Sequence, residues 1–261
     1  MTATENTPVL WQKRLPRPRI DSHKYDRGHV AVLGSEQYTG ATRLAAEACS
    51  RIGAGLVTVL SAGQRTVYQS TLPADIMVRG EGISALNRVN CVLAGPGGFG
   101  SSQSADVQSA HPVGLVLDAE AISHVSSLNE PRDFLIITPH EGEFARAFPE
   151  LEGQRVDRAA RAAAKIDGIC VLKGANTIIA APGGECRINA HASPWLAKAG
   201  TGDVLAGLVA GLAAQGMDPF DAASAAVWIH GDIGRRIGVG LTPPDMMTVL
   251  PIVLSELYAE G

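Results

Sequence analysis

Short, continuous apolar runs alternate along this chain with longer segments of helical period. Runs of four or five apolar or β-branched residues bounded by turn-forming residues read as strands buried on both faces, the kind a parallel sheet contains. They lie at His29–Leu33, Leu56–Leu60, Cys91–Ala94, Gly114–Leu117, Phe134–Thr138, Ile169–Lys173 and Thr177–Ala181. Helical patterns cover Thr42–Ile52, Glu141–Phe148, Val156–Ile166, Thr201–Gln215, Pro219–Ile237 and Pro244–Tyr258. This alternation predicts an α/β fold, a mainly parallel central sheet covered by helices on both faces. Pro182-Gly183-Gly184-Glu185 separates Ile178–Ala181 from Cys186–Asn189 and predicts a hairpin that adds antiparallel strands. Thr242 reads as the cap of the last helix, with prolines in its first turn, and Pro251 within it predicts a kink. No linker or repeat interrupts this order. Residues 24–261 therefore read as one domain, and 1–23 as a tail or edge element.

Composition narrows the class. With 29 glycines and 46% hydrophobic but only 5% aromatic residues, the 261-residue chain reads as a glycine-punctuated α/β enzyme, not an all-β sandwich. A net charge of -4 gives no electrostatic case for nucleic acid or an anionic membrane. The cysteines, Cys49, Cys91, Cys170 and Cys186, are scattered and form no CxxC pair. A disulfide framework and structural zinc are both disfavoured, and a reducing, cytoplasmic compartment is expected. Met1 to Ile20 holds no apolar signal core, and the longest apolar run, Val204–Ala214, is too short to span a bilayer.

Candidate chemistry collects where strands end. Gly34-Ser35, Gly95-Pro96-Gly97-Gly98, Asp118-Ala119, Thr138-Pro139-His140 and Lys173-Gly174 each follow a predicted strand. In parallel α/β sheets, ligands bind at the carboxyl ends of the strands.

Ala199-Gly200-Thr201-Gly202-Asp203 is the most informative run, because it places glycines and one acid where a helix begins. N–H groups in a first helical turn lack intrahelical partners, and the helix dipole adds positive potential. Gly200, Thr201 and Gly202 thus read as a phosphate cradle, and Asp203 as an acid placed to take a proton from a substrate hydroxyl. A glycine-rich turn with an acid at a helix start accounts for the same residues.

The other motifs are weaker alone. Gly95-Pro96-Gly97-Gly98-Phe99-Gly100 formally matches GxGxxG, with Asp118 at a ribose-acid distance. It falls in mid-chain, and Ser101-Ser102-Gln103-Ser104 is a poor opening for a packed helix, so a close-approach loop is the preferred reading. No GxxxxGK[ST] occurs. Lys173 of Lys173-Gly174-Ala175-Asn176-Thr177 is either a point charge for phosphate or a solvated lysine in a hairpin. Glu141 and Glu143 suit a helix start without further duty. His140 faces the ligand edge, whereas His23, His29, His111, His124 and His191 read as structural or solvated, and His230 as a core histidine. No histidine or acid shows metal-ligand spacing, so no resident metal is predicted; Mg2+ is expected to arrive with a nucleotide.

Taken together, these segments resemble the ribokinase-like superfamily, and within it the ADP-dependent NAD(P)H-hydrate dehydratases. The resemblance rests on Lys24 with Gly28-His29-Val30, Tyr38-Thr39-Gly40-Ala41 and Gly53-Ala54-Gly55-Leu56-Val57-Thr58-Val59. It continues through Gly95-Pro96-Gly97, Thr138-Pro139-His140-Glu141-Gly142-Glu143, Lys173–Thr177, Asn189 and Ala199–Gly207. It spans Lys24 to Tyr258. The GTGD element is shared with many kinases of the superfamily; TPHxGE with KGAxT and YTGA is far more specific. The chain departs at Leu33-Gly34-Ser35-Glu36, which lacks a double glycine, and at GPGGFG, where GPGLG is usual.

The resemblance implies a ribokinase-like fold and dehydration of (6S)-hydrated NADH and NADPH, with ADP as phosphoryl donor and AMP and phosphate as products. It implies that Asp203 is the base and that Gly200–Gly202 hold charge on the transferred group. It further implies that Lys173, Gly174, Ala175, Asn176, Thr177 and Gly202 contact the AMP portion. Ala41, Gly97, Gly98, His140 and Asp203 would line the hydrated dinucleotide. A homotetramer is expected, as is a separate NAD(P)H-hydrate epimerase, since the chain has no room for the epimerase domain often fused to such enzymes. The rival readings are an ATP-dependent kinase of a small alcohol and a nucleotide-binding regulator without turnover.

Overall fold

The buried runs form strands wherever both faces find helices to pack against. In the computed structural model, which describes residues 3–110, 113–128 and 130–259, ten strands make one sheet. They are β1 (Thr4–Glu5), β2 (His29–Leu33), β3 (Leu56–Leu60), β4 (Met77–Arg79), β5 (Cys91–Ala94), β6 (Gly114–Leu117), β7 (Leu135–Ile137), β8 (Ile169–Leu172), β9 (Thr177–Ala180) and β10 (Cys186–Asn189). The order across the sheet is β1-β10-β9-β8-β7-β6-β5-β2-β3-β4. All neighbours are parallel except β8–β9 and β9–β10, the predicted hairpin. Thr4–Glu5 adds an edge strand parallel to β10.

Alternate residues of each strand feed two separate cores, as the period-two geometry of a strand requires. Val30, Val32, Leu93, Val116, Ile136 and Val171 face one core; Ala31, Leu33, Val92, Leu117, Ile137 and Leu172 face the other. The first is closed by α1 (Thr39–Arg51), α6 (Thr201–Ala214), α7 (Pro219–Ile237) and α8 (Pro243–Ala259). The second is closed by α4 (Glu141–Ala147) and α5 (Arg155–Ile166), together with the 3-10 segment Ala119–Ser127.

Three elements escape the apolar pattern: β4, α2 (Arg65–Thr71) and α3 (Ser101–Ser109). β4 is a short edge strand with Met77 and Arg79 exposed, so it presents no buried run to read. α2 and α3 are short and mostly polar, burying only Tyr68 in one and Gln103 and Val107 in the other. Ser101–Ser104 does open a helix, though not a tightly packed one. Gln103 Oε1 accepts the Gly100 N–H at 2.5 Å, and its amide donates to the Gly34 carbonyl at 2.9 Å. The helix is therefore stitched down by one buried glutamine in place of an apolar face. α1 begins three residues before its predicted start, and Phe134, Thr138, Lys173 and Ala181 lie just outside the strands predicted to include them. Pro251 lies inside α8. His111, one of the histidines read as structural, and residues 1, 2, 260 and 261 of the predicted boundaries lie outside the described residues. No helix among the described residues is long and apolar enough to cross a membrane, and all four cysteines are free and buried.

Candidate active site

The sheet order reverses between β2 and β5, since β2 leads outward to β3 and β4 while the chain returns to place β5 on its other side. A crevice opens at the carboxyl ends of strands at such a switch point. The loops after β2 and β5 meet there. Ser35 Oγ donates to the Gly97 carbonyl at 2.6 Å, and Thr42 Oγ1 donates to the Pro96 carbonyl at 2.9 Å. A Cβ built on Gly97 would stand 3.2 Å from that of Ala41, so these two predicted substrate residues are neighbours. Gly98, φ +136°, continues the same loop beside Ser35.

α6 brings the cradle to this crevice by packing unusually close to α1. A Cβ on Gly207 would lie 2.3 Å from the Ala45 carbonyl oxygen, so only glycine permits this approach. The start of α6 consequently lies against the start of α1, with Gly200 beside Leu44 and Pro243. Two helix N-termini thus converge at one edge of the sheet, and their dipoles favour an anion between them. Gly200 adopts a left-handed conformation, φ +93°, and Thr201 Oγ1 lies 2.7 and 2.8 Å from the Leu196 and Lys198 carbonyls, so the cradle is tied back to the loop before it.

Four charged groups gather beside it. Lys173 Nζ is 2.8 Å from Asp118 Oδ1 and 3.8 Å from Glu143 Oε2. Asp118 also accepts from Thr138 Oγ1 at 2.7 Å. Lys173 reaches the cradle too, since a Cβ on Gly202 would lie 3.6 Å from its ammonium. Burial works against the Lys173 charge, but the carboxylates of Asp118, Glu143 and Asp203 outweigh it and raise its pKa. Asp203 responds the other way. Burial, followed by the negative charge of Asp118, pushes its carboxyl up to about 7, against the pull of Lys173. A carboxyl with that pKa is poised to exchange a proton near neutrality.

His140 lies at the same edge as the N-cap of α4. Its Nδ1 accepts the Gly142 and Glu143 N–H groups at 3.0 and 3.3 Å, while Nε2 lies 3.2 Å from Glu143 Oε1. The imidazole is therefore held in one orientation, half exposed toward solvent. The Gly174, Ala175 and Asn176 turn is exposed, and Thr177 Oγ1 closes it on Gly174. Arg155, at the start of α5, donates to the carbonyls of Leu172, Lys173 and Asn176 and pairs with Glu141 at 2.5 Å. Burial would raise the Glu141 pKa, yet Arg158 and Arg155 together lower it.

Every predicted site residue thus lies along the carboxyl edge of the sheet, and the charged cluster is built from residues that sequence reading undervalued. From sequence, Asp118 reads as a strand-end residue at a ribose-acid distance and Glu143 as a helix-start acid. Their shared signal is position: each stands within six residues of a strand end at this edge. Arg155 carries no sequence signal, because its partners are backbone carbonyls and one carboxylate 14 positions away. Among the described residues, no group of three or more His, Cys, Asp or Glu could hold a metal ion. Asp118 and Glu143 both face the Lys173 ammonium, and Glu143 also accepts the His140 backbone N–H, so their oxygens are engaged by protein groups.

Comparison with known proteins bears on this site. The profile of the NAD(P)H-hydrate dehydratase family matches residues 29–250. The chain is 33% identical to the bifunctional NAD(P)H-hydrate repair enzyme Nnr of Salinibacter ruber, over 96% of this chain and 52% of that protein. It spans about half the length of the curated relatives it matches. Among solved structures, it is similar to the ADP/ATP-dependent NAD(P)H-hydrate dehydratase of Bacillus subtilis co-crystallised with ATP and Mg2+. The TM-score is 0.86 at 26% identity, covering 98% of this chain and 99% of that one. A ribokinase-like superfamily protein of Enterococcus faecalis superposes with a TM-score of 0.85 at 26% identity, covering 98% and 96%. The fold is ribokinase-like.

Proposed function

The chain belongs to the NAD(P)H-hydrate dehydratase family, and from that premise we propose that it restores hydrated NADH and NADPH by nucleotide-driven dehydration, with ADP as phosphoryl donor and the (6S)-hydrates as substrates. The observation that carries this reading is Asp203, a desolvated carboxyl on the first turn of α6, beside both the cradle and Lys173.

The chemistry follows from what each residue can do. Asp203 takes the proton of the ring C6 hydroxyl as that oxygen attacks the β-phosphorus, and the phosphoanhydride bond to AMP breaks. The Gly200–Gly202 amides and the Lys173 ammonium hold the negative charge of the transferring group. Hydroxide leaves poorly and phosphate leaves well. The ring nitrogen lone pair therefore expels phosphate, and loss of a proton from the adjacent ring carbon restores the dihydronicotinamide. Mg2+ brought with the nucleotide would be held through phosphate and water oxygens, and it would supply charge neutralisation on the phosphates when bound. Ala41, Gly97, Gly98 and His140 line the dinucleotide side; Lys173–Thr177 and Gly202 line the AMP side. A cytoplasmic homotetramer acting together with an NAD(P)H-hydrate epimerase activity completes the proposal, supported by the free buried cysteines and the family resemblance.

Incubating the protein with hydrated NADH and ADP tests the reading directly. Absorbance of the reduced ring should return with stoichiometric AMP. No recovery with either ADP or ATP, alongside phosphorylation of a simple alcohol, would replace it with a kinase. Acid–base behaviour gives a second check. A raised carboxyl pKa means that the proton is retained to higher pH, so the base is competent only above about 7. We expect kcat/KM to rise about tenfold per pH unit below that value and to level off above it. Arg155 gives a third. Arg155→Ala frees the Leu172, Lys173 and Asn176 carbonyls, and KM for the nucleotide should increase about tenfold with kcat changed much less. Unchanged nucleotide KM in steady-state kinetics would show that the turn needs no such brace.

A further inference from the structure

Helix α7 lies beneath the loop that leads into the cradle and supports it at successive points. Gly231 lies so close to the His191 carbonyl that a Cβ there would stand 1.8 Å from the oxygen, and one on Gly234 would stand 2.6 Å from Leu196 Cγ. His191 stacks on Trp228, with centroids 4.6 Å apart and planes 5° from parallel, and its Nε2 is 2.8 Å from Asp232 Oδ1. On the same helix, His230 Nε2 lies 2.8 Å from the Thr201 carbonyl oxygen. A carbonyl can only accept, so Nε2 carries the proton and donates it. His230 is only partly exposed. Burial, aided by the Lys173 charge, lowers its pKa to about 4, so it is neutral near pH 7.

Thr201 is the middle residue of the cradle, and its carbonyl shares one planar trans peptide with the Gly202 N–H. In such a unit C=O and N–H point in opposite directions, so holding the carbonyl aims the amide. The Gly202 amide is one of the first-turn donors of α6 that have no intrahelical partner. Thr201 itself is anchored from the other side through its hydroxyl. We propose that His230 is a positioning residue for the anion cradle: its Nε2–H fixes the Thr201–Gly202 peptide so that the Gly202 N–H meets the transferring phosphoryl group. The step this serves rests on the dehydratase reading; the aim of the amide at a nucleotide phosphate does not.

His230→Leu removes the donor, and His230→Gln keeps an N–H able to reach the same carbonyl. By isothermal titration, affinity for ADP should fall at least threefold in the leucine variant and stay within about twofold of the parent in the glutamine variant. Turnover of hydrated NADH should fall about ten- to a hundredfold in the first and recover in the second, somewhat less than direct removal of an oxyanion donor. A merely structural role would lower the melting temperature of His230→Leu and leave ADP affinity and kcat in place. Unchanged ADP affinity in that variant overturns the inference, whatever the dehydration assay reads, and so does a glutamine variant no better than leucine. Should the leucine variant not fold, His230→Asn takes its place, since its shorter amide stops short of Thr201. The same loss is then expected, and unchanged affinity again overturns the proposal. Absence of dehydration by the parent protein would count against the dehydratase reading alone.

Discussion

Asp203→Asn is expected to fold, to bind ADP within a few-fold of the parent protein, and to lose about two orders of magnitude or more in turnover. The amide keeps the shape of the side chain on the first turn of α6 but cannot accept the hydroxyl proton. The fold should not suffer, because burial and the charge of Asp118 disfavour the ionised Asp203 more than Lys173 favours it. A carboxyl whose pKa is raised on folding contributes stability that is complete below its unfolded pKa of about 4. That contribution is lost as pH rises through about 7. Above that pH the ionised Asp203 is a burden that asparagine removes. Thermal melts at pH 8 should therefore place Asp203→Asn at or above the parent, while single-turnover kinetics show the chemical step nearly abolished. Near-parent turnover would remove Asp203 from the role of base.

Lys173→Met should do more damage, and of a different kind. Methionine has a similar length but leaves Asp118, Glu143 and Asp203 without the cation they share. Asp118 is almost wholly buried, with only 4% of its side chain exposed, and removing one partner of a buried pair typically costs about 3–5 kcal/mol. Thermal stability should fall accordingly. ADP affinity should drop about tenfold or more, and turnover by about two orders of magnitude, because the same ammonium faces the cradle where the phosphoryl group moves. The double variant Asp118→Asn with Lys173→Met separates the two losses. Neutralising the orphaned carboxylate should restore much of the stability and little of the activity. If the double variant recovers turnover as well, Lys173 is a structural counter-ion and no more.

Much of the architecture was legible because it is written in period. Strands buried on both faces appear as unbroken apolar runs, and β2, β3, β5, β6 and β8 were found within a residue of their ends. Helices α4 to α8 carry enough apolar or alanine-rich face to declare themselves. Elements held by polar stitching did not: α3 rests on Gln103, and β4 borrows its stability from a neighbour across one edge. The site divides the same way. His140 and Lys173–Thr177 stand where a motif and a strand end coincide, and Gly200–Asp203 where a helix begins, so their place at this edge could be read from local pattern.

By itself, the sequence determined the layering of the sheet, the location of candidate chemistry at strand ends, and the acid at the mouth of a helix, because each depends on local pattern or on a few neighbouring residues. Only the tertiary structure decided what those residues face. It set Asp118, 55 positions before Lys173, within 2.8 Å of its ammonium, and it laid α7 under the cradle so that His230 holds a carbonyl 29 positions away. Charge in a low-dielectric cleft acts across space, and no local pattern records which strand ends will be adjacent. That adjacency is fixed by the sheet order, and with it the buried, charged surroundings that raise the Asp203 pKa.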